Sequence, residues 1–167
     1  LLGPLGTGVL YIAPGVEERL VSIRQGGTGS RSEEDRQPND VPDKYESGNL
    51  NVPGILGIGA GVAFLAEKGI TSLHERERSL TSRLLEGLTG IEGVTIYGPR
   101  TADGRVGVVS INVEGYDSQE VATMLESGYR VQVRSGIQCA PLAHRALGTL
   151  ATGGTVRFSL GPFTTDE

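Results

Sequence analysis

The chain has 167 residues, with 20 Asp and Glu against 15 Lys and Arg, a formal net charge of −5 and an apolar share of 37%. That is enough for one domain, or one and a half small ones, with a core, while the acidic balance without clustered Lys or Arg argues against binding nucleic acid or an anionic membrane surface. A single cysteine forms no internal disulfide, no apolar run reaches the length of a membrane span and no signal-like segment opens the chain, so a reducing cytoplasm is the expected compartment.

In chain order, Gly8 to Ala13, "GVLYIA", reads as a strand closed by Pro14 and Gly15. From Gly26 to Gly48 the sequence is polar, rich in Gly and Pro and without either hydrophobic period, so a long loop is expected. "NVPGILGIGAGVAFLAEKG" is apolar or small all round and predicts a buried helix that starts near Pro53 and stops at Lys68-Gly69. Ile70 to Leu88 alternates leucines with Glu and Arg and predicts an amphipathic helix. "GVTIYGP" and "VGVVSINVEG" read as strands. Asp117 or Ser118 caps a short helix stopped at Gly128; "YRVQVRSG" reads as a strand, Pro141 to Leu147 as a short helix and "TVRFSLGPF" as a last strand. The second half is therefore β-β-α-β-α-β after a long helix, an α+β arrangement of helices on a small sheet. The start at Leu1 without Met, and the stop at Thr164-Thr165-Asp166-Glu167 where a helix would open, read as a piece of a longer protein.

Gly57-Ile58-Gly59-Ala60-Gly61 lacks the preceding strand of a dinucleotide fingerprint, and Gly54, Gly57 and Gly61 recur at helical spacing, so close helix packing is expected. Gly26-Gly27-Thr28-Gly29-Ser30 is a flexible turn or, through its N–H groups, an anion cradle. One Cys with His74 and His144 far apart offers no metal-ligand spacing. Cys139 follows a strand that ends at Gly136 and precedes Pro141 at a helix start, with Arg134 near in sequence, and these positive surroundings favour a thiolate nucleophile over a small buried hydrophobe. Arg134 in "VQVRSG" and Arg157 in "TVRFSLG" lie in apolar strands, where an arginine needs an anion. Either a protein carboxylate pairs with it, or a substrate carboxylate does so bidentately.

Five collinear segments, "LLGPLGTGVLYI", "GGTGS", "KYESGNLNVPGILGIGAG", "VRSGIQCAPLAHRALGT" and "GTVRFSLGPFTTDE", resemble the C-terminal part of class V aminotransferase-like enzymes, most of all the cysteine desulfurases and selenocysteine lyases with a short cysteine-bearing loop. The resemblance implies an α/β fold of the fold-type I pyridoxal 5'-phosphate class, with residues 1–68 as the end of the large cofactor-binding domain and residues 69–167 as a small α+β domain. It implies a homodimer, an amino-acid substrate and a sulfur-acceptor protein. Cys139 resembles the nucleophile that takes sulfur as a persulfide, Arg157 the arginine that binds the substrate α-carboxylate and Arg134 the arginine ahead of the cysteine loop. Gly48 and Asn49 fall where a Gly-Thr pair reaches the cofactor phosphate of the neighbouring subunit. Two departures stand out: Asn49 replaces Thr, and Ile137-Gln138 stands where many relatives carry a histidine. The basic residues are thirteen Arg and only Lys44 and Lys68, neither in the setting of the cofactor-attaching lysine, which in relatives precedes the "LLGP" segment. The chain alone is thus expected to be inactive, with another class V lyase or epimerase, or a catalytically silent module, as alternatives. The desulfurase reading also expects Arg157 free of protein carboxylates and Cys139 on an exposed loop.

Overall fold

The computed structural model describes residues 2–27 and 29–166. Leu1, Glu167 and Thr28 of the "GGTGS" turn lie outside the described residues. Two compact units divide the chain, Leu1–Lys68 and Gly69–Glu167.

In the first unit, residues 8–13 form no strand, and Val9, Leu10 and Tyr11 are 63%, 71% and 80% exposed. β propensity becomes a strand only against a partner ladder, and among the described residues the only sheet lies in the other unit. A short 3-10 turn, Glu17–Arg19, leads into the long loop. Polar latches hold that loop: Gln37 accepts from the Gly26 N–H at 3.2 Å and donates to the Asp43 carbonyl at 2.6 Å, and buried Lys44 donates to the Glu17 carbonyl at 2.7 Å.

Helix α1, Val52–Lys68, starts where Asn51 Oδ1 accepts from the Gly54 N–H at 3.1 Å, with Pro53 in the first turn. A Cβ at Gly54 would lie 2.4 Å from Thr7 Cγ2, and one at Gly57 would lie 2.4 Å from Pro4 Cγ. The glycines therefore admit residues 4–7 against the helix, a packing role. The expected burial of the whole helix does not hold, since Ile55, Leu56 and Val62 are exposed. Residues 4–7 lie against Gly54 and Gly57, while these three side chains stay open to solvent.

The second unit opens with helix α2, Ile70–Thr89. Strands β1 (Val94–Tyr97), β2 (Val108–Val113) and β3 (Val156–Ser159) form an antiparallel sheet in the order β1-β2-β3. Helix α3 spans Ser118–Tyr129 and α4 spans Pro141–Ala146. Leu85 and Leu88 of α2 pack with Ile96, Val109, Ile111 and Val156 from one face of the sheet, and Val121 and Leu125 of α3 close the same cluster. Alternation along the strands puts the intervening residues on the opposite face, where Tyr97, Ser110 and Arg157 lie side by side in register. Leu85→Ala, at a site 2% exposed, should cost about 2–5 kcal/mol and lower the urea-unfolding midpoint. An unchanged midpoint would place the core elsewhere.

Asp117 is the cap of α3 and makes a full capping box, accepting from the Gln119 and Glu120 N–H groups at 2.8 Å while the Glu120 carboxylate accepts from the Asp117 N–H at 3.0 Å. The helix does not stop at Gly128. It runs to Tyr129 and closes on Arg130 in a left-handed conformation, φ 57°, whose N–H reaches the Glu126 carbonyl. That takes up the start of the strand expected over residues 129–136. What remains is one antiparallel bridge, Arg134 to Arg157, before Gly136 turns the chain away at φ 87°.

Candidate active site

The single bridge places the two arginines opposite each other. The Arg134 N–H donates to the Arg157 carbonyl at 3.1 Å and the Arg157 N–H returns to the Arg134 carbonyl at 2.7 Å. Directly opposed residues of an antiparallel pair project to one side, and like charges so placed repel. Among the described residues no carboxylate reaches either guanidinium within ion-pair distance. Arg157 is half-buried, and its Nε is buried without a hydrogen-bond partner. A buried donor left unpaired costs stability that a bound anion would return.

Cys139 is exposed and stands on a turn. The Ala140 N–H closes that turn on the Ile137 carbonyl at 3.0 Å, and both central residues are left-handed, Gln138 at φ 56° and Cys139 at φ 62°. Positive φ at both centres is the sign pattern of a type I′ turn, which ordinarily takes Asn and Gly. Two larger residues in those places carry strain of about 1–2 kcal/mol each, so neighbouring groups must hold them. Gln138 Nε2 donates to the Arg134 and Thr155 carbonyls, each at 2.9 Å. Upstream, Ser118 Oγ accepts from the Gly136 N–H at 3.2 Å and Gln119 Oε1 accepts from Ser135 Oγ at 2.8 Å. Gly154 crosses so near that a Cβ there would fall 2.2 Å from the Gly136 carbonyl carbon. In this setting Arg134 Nη2 donates to Cys139 Sγ at 3.6 Å. A guanidinium donor on the sulfur fixes where the Cys139 side chain stands.

Cys139, Arg134 and Arg157 thus come together within the second unit. Gly48 and Asn49 lie in the first. The Gly48 N–H is engaged with the Gly27 carbonyl at 3.0 Å, so Gly48 shapes the corner rather than donating to a ligand. Exposed Asn49 has no partner among the described residues for its N–H or carboxamide, so its donors fit a phosphate. Of the lysines, buried Lys44 is bound to Glu17, and Lys68 lies over the Phe64 ring at 5.8 Å. Sequence reasoning missed Gln138, Ser118, Gln119 and Gly154 as parts of the site. Only the Gly153-Gly154 pair carried a local signal of close backbone approach. Among the described residues no group of His, Cys, Asp and Glu could hold a metal ion, and no single helix is long and apolar enough to cross a membrane.

The sequence profile of the aminotransferase class-V family matches residues 1–167. A probable cysteine desulfurase of Methanothermobacter thermautotrophicus is 34% identical over 99% of this chain and 42% of its own length. For a probable cysteine desulfurase of Pyrococcus abyssi the values are 35%, 95% and 39%. The apo structure of a cysteine desulfurase from Thermococcus onnurineus superposes with a TM-score of 0.80 at 31% identity, over 98% of this chain and 40% of the other. The chain therefore spans about two fifths of the length of these relatives.

Proposed function

The chain belongs to the class-V aminotransferase family, with the fold of the C-terminal part of a fold-type I enzyme, and from that premise we propose that the full-length protein is a pyridoxal-phosphate-dependent cysteine desulfurase. The observation that carries the reading is Arg134 on the sulfur of Cys139, beside an Arg157 that no carboxylate among the described residues neutralises. Arg157 binds the α-carboxylate of L-cysteine in a bidentate grip and orients its thiol toward the Cys139 turn. Arg134 donates to the Cys139 sulfur and positions it, and the thiolate is the form of a cysteine that reacts. The thiolate attacks the substrate sulfur; an S–S bond forms as the C–S bond breaks, the electron pair stays with the carbon fragment, and that fragment takes up a proton and leaves as alanine. Cys139 keeps the sulfur as a persulfide, so L-cysteine and a thiol become alanine and a persulfide with no other reagent. When bound, pyridoxal phosphate supplies the electron sink next to the substrate α-carbon. Asn49, at the corner shaped by Gly48, would hold its phosphate, across the boundary of a homodimer. Neither Lys44 nor Lys68 stands in the setting of the lysine that attaches it. An exposed sulfur-bearing turn suits delivery to an acceptor protein, and a free thiol kept for this purpose suits the cytoplasm.

Incubating the full-length holoprotein with L-cysteine should add one sulfur atom to the Cys139 peptide, read by mass spectrometry without reductant. A Cys139 peptide of unchanged mass would sink the reading.

A further inference from the structure

We infer that Gln138 is the positioning residue of the Cys139 turn, holding it through its carboxamide N–H group so that the Arg134 guanidinium meets the sulfur. The inference rests on Cys139 being the group that accepts sulfur.

Two residues in succession are left-handed here without being Gly, Asn or Asp, so the turn is not the resting conformation of its own sequence. Something outside it must select that conformation. The closing bond from Ala140 to Ile137 is local and would form equally well in a turn with ordinary negative φ values. Gln138 supplies the non-local restraint. Its single Nε2 donates at 2.9 Å to two carbonyls, that of Arg134, whose side chain reaches the sulfur, and that of Thr155, two residues before Arg157. The Arg134 carbonyl also accepts the bridge bond from the Arg157 N–H at 2.7 Å, so both its lone pairs are engaged at one point. The carboxamide therefore ties the nucleophile's turn to the backbone junction between the two arginines. Through that junction the distance from the thiol to the carboxylate-binding group is set. Both acceptors are carbonyl oxygens, so the position requires a donor. Glu has the shape of Gln but would turn a negative oxygen toward two carbonyls. Met has similar length and no donor.

The test compares Gln138→Glu and Gln138→Met with wild type in the full-length holoprotein at pH 7. Without substrate, the rate of Cys139 alkylation by iodoacetamide is read on its peptide. With L-cysteine, kcat and KM for alanine formation are measured. Both variants should alkylate about tenfold more slowly, because the sulfur loses its cationic donor. Both should lose about 10- to 100-fold in kcat with KM within about threefold, since the carboxylate grip on Arg157 remains. Loss of side-chain bulk alone would spare both variants, which keep the size of Gln. A Gln138→Glu protein that alkylates at the wild-type rate would overturn the inference. Should wild type alkylate readily yet take no sulfur from L-cysteine, the desulfurase reading fails while the alkylation comparison still decides the role of Gln138.

Discussion

Replacing Cys139 with serine in the full-length holoprotein is expected to lower alanine formation from L-cysteine by about 10³-fold or more, with KM within about threefold. The hydroxyl is close in size to the thiol and leaves the turn and its Gln138 bonds in place. What it lacks is chemistry. It remains protonated at neutral pH, is a poor nucleophile toward sulfur, and cannot carry the sulfur away as a stable persulfide. Substrate affinity should survive because Arg157, half-buried on the adjacent strand, is untouched. The assay is single-turnover alanine release by the serine variant. Activity within twofold of wild type would make Cys139 a bystander and move the protein to another lyase or epimerase chemistry of the family.

Arg157→Ala should lower kcat/KM for L-cysteine by about 10²- to 10³-fold, the equivalent of about 3–4 kcal/mol for a lost bidentate, charge-assisted grip. Arg157→Lys should recover little of it, because an ammonium cannot match both carboxylate oxygens at once. The fold should respond in the opposite sense. Arg157 faces Arg134 across the bridge, has no carboxylate partner among the described residues and keeps a buried donor unpaired. Removing it relieves repulsion and an unmet hydrogen bond, so the melting temperature should hold or rise. Loss of kcat/KM together with a fall in melting temperature as large as that of Leu85→Ala would mark Arg157 as a structural residue instead.

Elements with a local cause could be read from the sequence. α1 follows from Pro53 and Lys68-Gly69, α3 from Asp117 with Glu120 three residues on, and β2 from the alternation that buries Val109 and Ile111. Residues 8–13 and 129–136 have the same strand-like composition as β1, yet being a strand depends on a partner ladder, which composition does not contain. Cys139, Arg134 and Arg157 stood out by residue type and setting, and the class V resemblance gave them roles, but their juxtaposition depends on register between segments more than twenty residues apart in the chain. The conformation of the Cys139 turn had no local marker at all. Asn-Gly would have announced it, whereas Gln138-Cys139 adopts it only under bonds from elsewhere.

Those bonds make the cysteine turn poor material for transplantation. The five residues Ile137 to Pro141 with their preceding glycine, grafted into another scaffold, would relax to right-handed dihedrals. The instructions for their shape are written at Ser118, Gln119, Gly154 and Thr155, in two separate stretches of chain. A designer who wanted this sulfur-accepting thiol would have to carry over the start of α3 and the approach to β3 with it, moving nearly the whole second unit as a single cassette.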